Sequence, residues 1–131
     1  MLRDAATIGT PLTLRGRVFA QDCRPIAGAV LDVWNCDGNG VYDNDGFRLR
    51  GHQFTDANGA FAFETVKPKD YVDFGVHRTP HIHVKVQGRE TRLLTTQLFF
   101  PNEPYNARDW FYRDDLLVQL DRGTATFNFV L

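Results

Sequence analysis

His81-Ile82-His83-Val84-Lys85-Val86-Gln87 alternates without a fault: Ile82, Val84 and Val86 fall on one side, and His81, His83, Lys85 and Gln87 on the other. Successive side chains of an extended strand point to opposite faces, so this stretch predicts a β-strand with one buried face. The same geometry sends residues i and i+2 the same way. His81 and His83 therefore project side by side, with Ile82 anchoring the strand between them.

Strand patterns continue on both sides of this segment. Towards the C-terminus, Leu93–Phe100 reads as a strand, and Asn102–Asp115 as a long connection with a helical turn around Ala107–Phe111. Leu116–Leu120 and Thr124–Leu131 read as closing strands. Towards the N-terminus, Leu12–Phe19 has strand composition, and Ala27–Asn35 is apolar nearly throughout, as in a strand covered on both faces. Cys36–Gly46 is dense in Gly, Asn and Asp and must be a loop. Thr55–Gly59 reads as a tight turn feeding Ala60–Glu64, and the stretch from Pro68 to Pro80 as a polar connection. No segment carries a helical apolar stripe over three turns. The expected fold is all-β, an antiparallel β-sandwich of about 7–9 strands with long loops. It forms one domain over residues 1–131.

Composition agrees with that reading. The 131 residues include 11 Phe, 4 Tyr and 2 Trp, residues that favour strands, and 11 Gly and 6 Pro, which punctuate them. Hydrophobic residues at 43% and charged residues at 24% match ordinary globular proteins, which excludes intrinsic disorder. With 15 Lys and Arg against 16 Asp and Glu, there is no basic footprint for nucleic acid or an anionic membrane. The longest apolar runs, such as Leu98–Pro101, fall far short of the roughly 20 residues of a membrane span. Neither nucleic acid nor a membrane is expected as a partner.

The paired histidines suit a metal ion, although an amphipathic strand with two polar imidazoles has the same pattern. No C-x-x-C or H-E-x-x-H motif accompanies them. A zinc hydrolase site would need Asp43 or Asp45 as a further ligand. His77 and His81 are four apart, but Pro80 between them rules against a helix. Tyr42, in the Gly-rich loop, and Tyr71 are the remaining anionic candidates. A phenol has an unperturbed pKa of about 10, so only a strongly Lewis-acidic ion holds it deprotonated near neutrality. That chemistry favours Fe(III) over Zn(II).

Several motifs together resemble the intradiol ring-cleavage dioxygenase family. They are Gly28-Ala29-Val30 through Val33-Trp34-Asn35, Gly40-Val41-Tyr42, Arg48-Leu49-Arg50-Gly51, Thr55-Asp56 with Gly59 and Phe61, Pro68 with Tyr71, Arg78 three before His81, and Thr95-Thr96-Gln97. They occur in family order from about Leu14 to Phe100. The resemblance implies a non-haem Fe(III) held by Tyr42, Tyr71, His81 and His83, with Tyr71 leaving the iron when a catechol chelates it. It implies that Arg78 stabilises negative charge on the activated substrate and that Gln97 lies near the same pocket. Dioxygen would then open a catechol ring between its two hydroxyl-bearing carbons, giving a cis,cis-muconate-type product. Parts of the chain also resemble prealbumin-like accessory sandwiches, but such modules have no reason to keep Tyr42, Arg78, His81 and His83 together.

Trp34-Asn35-Cys36 resembles the extracellular single-domain branch of the family, which implies a Cys23–Cys36 disulfide and a secreted protein rather than a cytoplasmic one. The strand pattern begins near Leu12, without the N-terminal helical segment through which catechol and hydroxyquinol dioxygenases dimerise. A monomer is expected, acting on small catechols with O2, with a carbohydrate- or lignin-binding domain as a natural appendage.

Overall fold

The computed structural model describes Met1–Leu131. Eleven strands form: β1 Pro11–Phe19, β2 Val30–Trp34, β3 Arg50–Phe54, β4 Ala60–Val66, β5 Tyr71–Asp73, β6 Val76–Arg78, β7 His81–Gln87, β8 Leu94–Phe99, β9 Gln119–Asp121, β10 Thr124–Thr126 and β11 Phe129–Val130. Strand β7 has the bounds its alternation predicts, with Ile82, Val84 and Val86 fully buried. The fold is all-β. Its only helical turns are short 3-10 turns at Asn106–Arg108 and Asp114–Leu116.

Two sheets enclose one core. In the first, β3, β2, β7 and β8 lie side by side, all antiparallel. In the second, β1 is the hub: it pairs antiparallel with β4 along one edge and parallel with β10 and β11 along the other. Leu12, Leu14 and Val18 of β1 and Phe61 and Phe63 of β4 face Leu31 and Val33 of β2 and Ile82, Val84 and Val86 of β7. These belong to a single cluster of 16 buried residues. Burying such side chains contributes roughly 1.5–3 kcal/mol each before chain entropy is counted against it.

The parallel pairs depart from a wholly antiparallel sandwich, and Gly16 explains how they form. Between Arg15, the last partner of β10, and Val18, the first partner of β11, β1 passes the Phe127 carbonyl. A Cβ on Gly16 would stand 1.7 Å from that oxygen. The expected strand Thr124–Leu131 therefore breaks in two, while the Phe127 N–H still donates to Arg15 O at 3.0 Å. The count also exceeds the expectation because β3, β5 and β6 are short and lack clear alternation.

Strands β5 and β6 form a separate two-stranded hairpin, with Tyr71 opposite Arg78. It turns at Phe74-Gly75, both with positive φ.

The expected Cys23–Cys36 disulfide is absent, and both thiols are free. The strands flanking them lie in different sheets rather than as antiparallel neighbours. Cys23 follows the Phe19 end of β1, near Gly59, whereas Asn35 beside Cys36 bonds to Val66 O at the other end of β4. Seven strand residues separate those ends, about 20 Å at strand rise and well beyond a disulfide's reach. Secretion loses that support. Cys36 is instead a buried thiol, pushed up to about 11 by burial, that donates to Lys69 O.

Candidate metal centre

The end of the first sheet where β2 stops and β7 starts gathers Tyr42, Tyr71, His81 and His83. They come from three separate segments. His81 and His83 project from β7 by strand alternation. Tyr71 opens β5. Tyr42 lies between two aspartate-capped turns: Asp37 Oδ1 accepts from the Asn39 and Val41 amides, and Asp43 accepts from those of Asp45, Gly46 and Arg48. Aspartate side chains that bind nearby amides in this way fix a loop that has no ladder of its own. Gly40, at φ +79, completes the first turn beneath Tyr71.

Four donor atoms converge there. Tyr42 Oη lies 3.0 Å from Tyr71 Oη, 3.3 Å from His81 Nε2 and 3.2 Å from His83 Nε2. His81 Nε2 lies 3.3 Å from Tyr71 Oη and 3.2 Å from His83 Nε2. Five of the six pairs thus lie 3.0–3.3 Å apart, the separation of donor atoms that share one metal ion at bonds of about 2 Å.

Hydrogen bonding alone does not account for this packing. His81 Nδ1 donates to Thr79 O at 2.7 Å, which leaves an unprotonated Nε2 lone pair facing inward. Tyr42 has one proton for three neighbours. A cation at the centre would satisfy the lone pairs that otherwise oppose one another, so the donor set fits a metal ion.

The electrostatics agree. Burial holds His81 down to about 4 and, with His81 and Arg78 beside it, His83 to about 3. Both are therefore neutral at ordinary pH, the form in which an imidazole can bind a metal ion. Burial raises both phenols above their usual value, so without a cation Tyr42 and Tyr71 are protonated. Binding a highly charged ion requires them to lose those protons.

Arg78 and Gln97 pair beside the centre. Arg78 Nη2 donates to Gln97 Oε1, and Gln97 stands opposite His83 across β7 and β8. A cavity of about 310 Å³ opens beside them, lined by His83, Thr95, Thr96, Gln97, Phe111, Arg113 and Leu116. That volume lies at the small end of the ligand-pocket range.

Other candidates go elsewhere. His77 pairs with Asp70 at 2.8 Å and stacks on Tyr105. No third His, Cys, Asp or Glu joins His81 and His83, and Asp43 is committed to its own loop, so the zinc hydrolase arrangement does not form. Sequence reasoning did not single out Trp34 as a support of the site, nor Phe111 or Asp109. Trp34 stacks on His83, and Asp109 is paired with Arg78. The only sequence signals were the Trp34 motif and one of the four acids in a long connection.

Known proteins resemble the whole chain. Residues 1–130 match the family profile described as Dioxygenase. The catechol 1,2-dioxygenase of Candida albicans is 32% identical over 131 residues, covering 83% of this chain and 43% of that protein. The solved dioxygenase domain of a dioxygenase–carbohydrate-binding fusion from Streptomyces sp. SirexAA-E is 44% identical with a TM-score of 0.86, covering 99% of this chain and 84% of that one. The 3-chlorocatechol 1,2-dioxygenase of Rhodococcus opacus 1CP superposes with a TM-score of 0.91 at 28% identity, covering 99% and 63%. The chain spans about half the length of the curated relatives it matches.

Proposed function

The chain belongs to the intradiol dioxygenase family, and from that membership we propose that it opens catechol rings with O2 between the two hydroxyl-bearing carbons. In this reading Tyr42, Tyr71, His81 and His83 hold a non-haem ferric ion, and both oxygen atoms enter a cis,cis-muconate-type diacid. When bound, the ion supplies the Lewis acidity that makes the phenols phenolates and draws electron density from the catechol towards O2. The observation that carries the reading is the convergence of the four donor atoms at 3.0–3.3 Å.

The residues divide the work. His81 is held in one tautomer by Thr79 O, and His83 is held flat against Trp34. Tyr42 faces three of the other donor atoms and Tyr71 only two, and Tyr71 rides on a hairpin outside both sheets. Tyr71 would be the one of the four that gives way to substrate, with its Oη accepting one of the catechol protons. The Arg78 guanidinium would stabilise the resulting negative charge as a preorganised cation. Phe111 and Leu116 provide the apolar walls for the ring.

We extend the proposal to a monomeric enzyme, because one chain supplies all four ligands and Arg78. Loading with ferric ion followed by visible spectroscopy and oxygen-uptake assays on catechol, hydroxyquinol and chlorocatechols tests the function. A tyrosinate charge-transfer band together with muconate-type products supports it. A colourless loaded protein, or one that consumes no oxygen with any of these catechols, rejects it. Light scattering of the loaded protein tests the monomer.

A further inference from the structure

Asp109 lies in the loop after the first 3-10 turn, 31 residues from Arg78 in sequence, yet its side chain is fully buried against it. Oδ2 accepts from Arg78 Nε at 2.9 Å and from the Thr79 amide at 3.0 Å. Oδ1 accepts from the Phe111 amide at 2.9 Å. Phe111 in turn places its ring 4.7 Å from the Arg78 guanidinium carbon. One carboxylate thus sets the arginine and the aromatic ring that covers it. Through Thr79, whose carbonyl accepts a hydrogen bond from His81 Nδ1, it also fixes the register of Arg78 relative to His81.

Three donors on one buried carboxylate are more than a structural ion pair requires. Arg78 retains only 12% side-chain exposure, and its Nη2 is turned to Gln97 at the cavity wall. With Nε held by Asp109 and Nη2 held by Gln97, the planar guanidinium has no freedom to rotate away from the cavity. Asn106 secures the loop from behind: it accepts from Thr79 Oγ1 at 2.7 Å and donates to Phe100 O at 2.7 Å.

We propose that Asp109 is the positioning residue for Arg78, holding its guanidinium towards the substrate cavity in fixed register with His81. This rests on the dioxygenase reading for the identity of the reaction, but not for the geometry. A misplacement of about 1 Å in such a group costs a rate on the order of 100-fold.

The test is a double-mutant cycle on the iron-loaded protein, with rates expressed per bound iron. Asp109→Asn keeps the size but turns an amide donor towards other donors, and is expected to lower kcat on catechol about 10- to 100-fold. Arg78→Gln lowers it at least as far. In the Arg78→Gln background, Asp109→Asn adds less than about twofold, because its effect runs through an arginine no longer present. Effects that multiply, or a wild-type rate in Asp109→Asn, overturn the proposal.

A second measurement needs neither iron nor a folded Asp109 variant. In the metal-free wild type, the Arg78 Nε–H resonance, assigned by its loss in Arg78→Gln, is expected to exchange slowly with water. Exchange at the rate of a free arginine overturns the proposal even where Asp109→Asn does not fold. An iron-loaded wild type that cleaves no catechol defeats the dioxygenase reading alone, and the Nε–H measurement still decides the positioning.

Discussion

The indole of Trp34 lies flat on the imidazole of His83, with ring centroids 4.9 Å apart and planes 3° from parallel. The two residues are opposite one another in the β2–β7 ladder, so the contact follows from strand register. His81 is oriented by a hydrogen bond; His83 is oriented by this stack. Removing the groups that orient a metal ligand commonly weakens metal binding about 10- to 100-fold. Trp34→Ala is expected to lose iron faster than wild type during dialysis against a chelator, with Trp34→Phe in between. Equal retention in all three would show that the stack does not support the ligand.

Replacing either tyrosine by Phe removes one phenolate. Tyr71→Phe is expected to shift the visible band and depress ring cleavage while retaining iron, and Tyr42→Phe to lose iron more readily. Because both phenols are protonated before loading, Tyr71→Phe releases one proton fewer than wild type when the same ferric chelate delivers the metal. The difference is read in a pH-stat. An unchanged spectrum, rate and proton count in Tyr71→Phe would remove Tyr71 from the ligand set.

The metal-free protein is expected to weaken as pH falls. Both site imidazoles have folded-state values below the unfolded 6.5, about 4 for His81 and about 3 for His83. The unfolded chain therefore takes up protons first. Stability is full above about pH 6.5 and falls as pH drops towards 4 and then 3. Thermal melts at neutral and mildly acidic pH, compared with a His81→Asn/His83→Asn variant, isolate this contribution. The variant should lose less on acidification, and an equal loss would mean that other groups dominate.

Two glycines separate crowding from conformation. At Gly16, Gly16→Ala drives a methyl into the Phe127 carbonyl and is expected to cost about 3 kcal/mol or more. Gly28 has φ +70 with nothing within 4 Å, so Gly28→Ala costs only the left-handed backbone, about 1–2 kcal/mol. Urea midpoints order the two, and the reverse order would contradict the β1 partner switch.

Much of the site is legible in the amino-acid sequence. Alternation alone puts His81 and His83 together on β7, and the loop composition of Cys36–Gly46 puts Tyr42 off the strands. The family resemblance joins them to Tyr71, Arg78 and Gln97; the four donor side chains meet, and Arg78 and Gln97 pair beside them. What escapes depends on contacts between distant segments. Asp109 carries no local pattern, since its meaning comes from Arg78 31 residues away. The β5–β6 hairpin turns on Phe74-Gly75, where an aromatic residue adopts positive φ, so the usual turn signals are missing. The disulfide expectation fails because sequential strands go to different sheets, a choice that spacing does not encode.

The root of the β5–β6 hairpin pairs Tyr71 with Arg78, and its tip exposes Phe74 almost completely. At that root Arg78 is held by Asp109, and Tyr71 by Tyr42 and His81. The hairpin is thus three paired positions long, with an exposed aromatic ring at one end and the phenol and guanidinium of the site at the other.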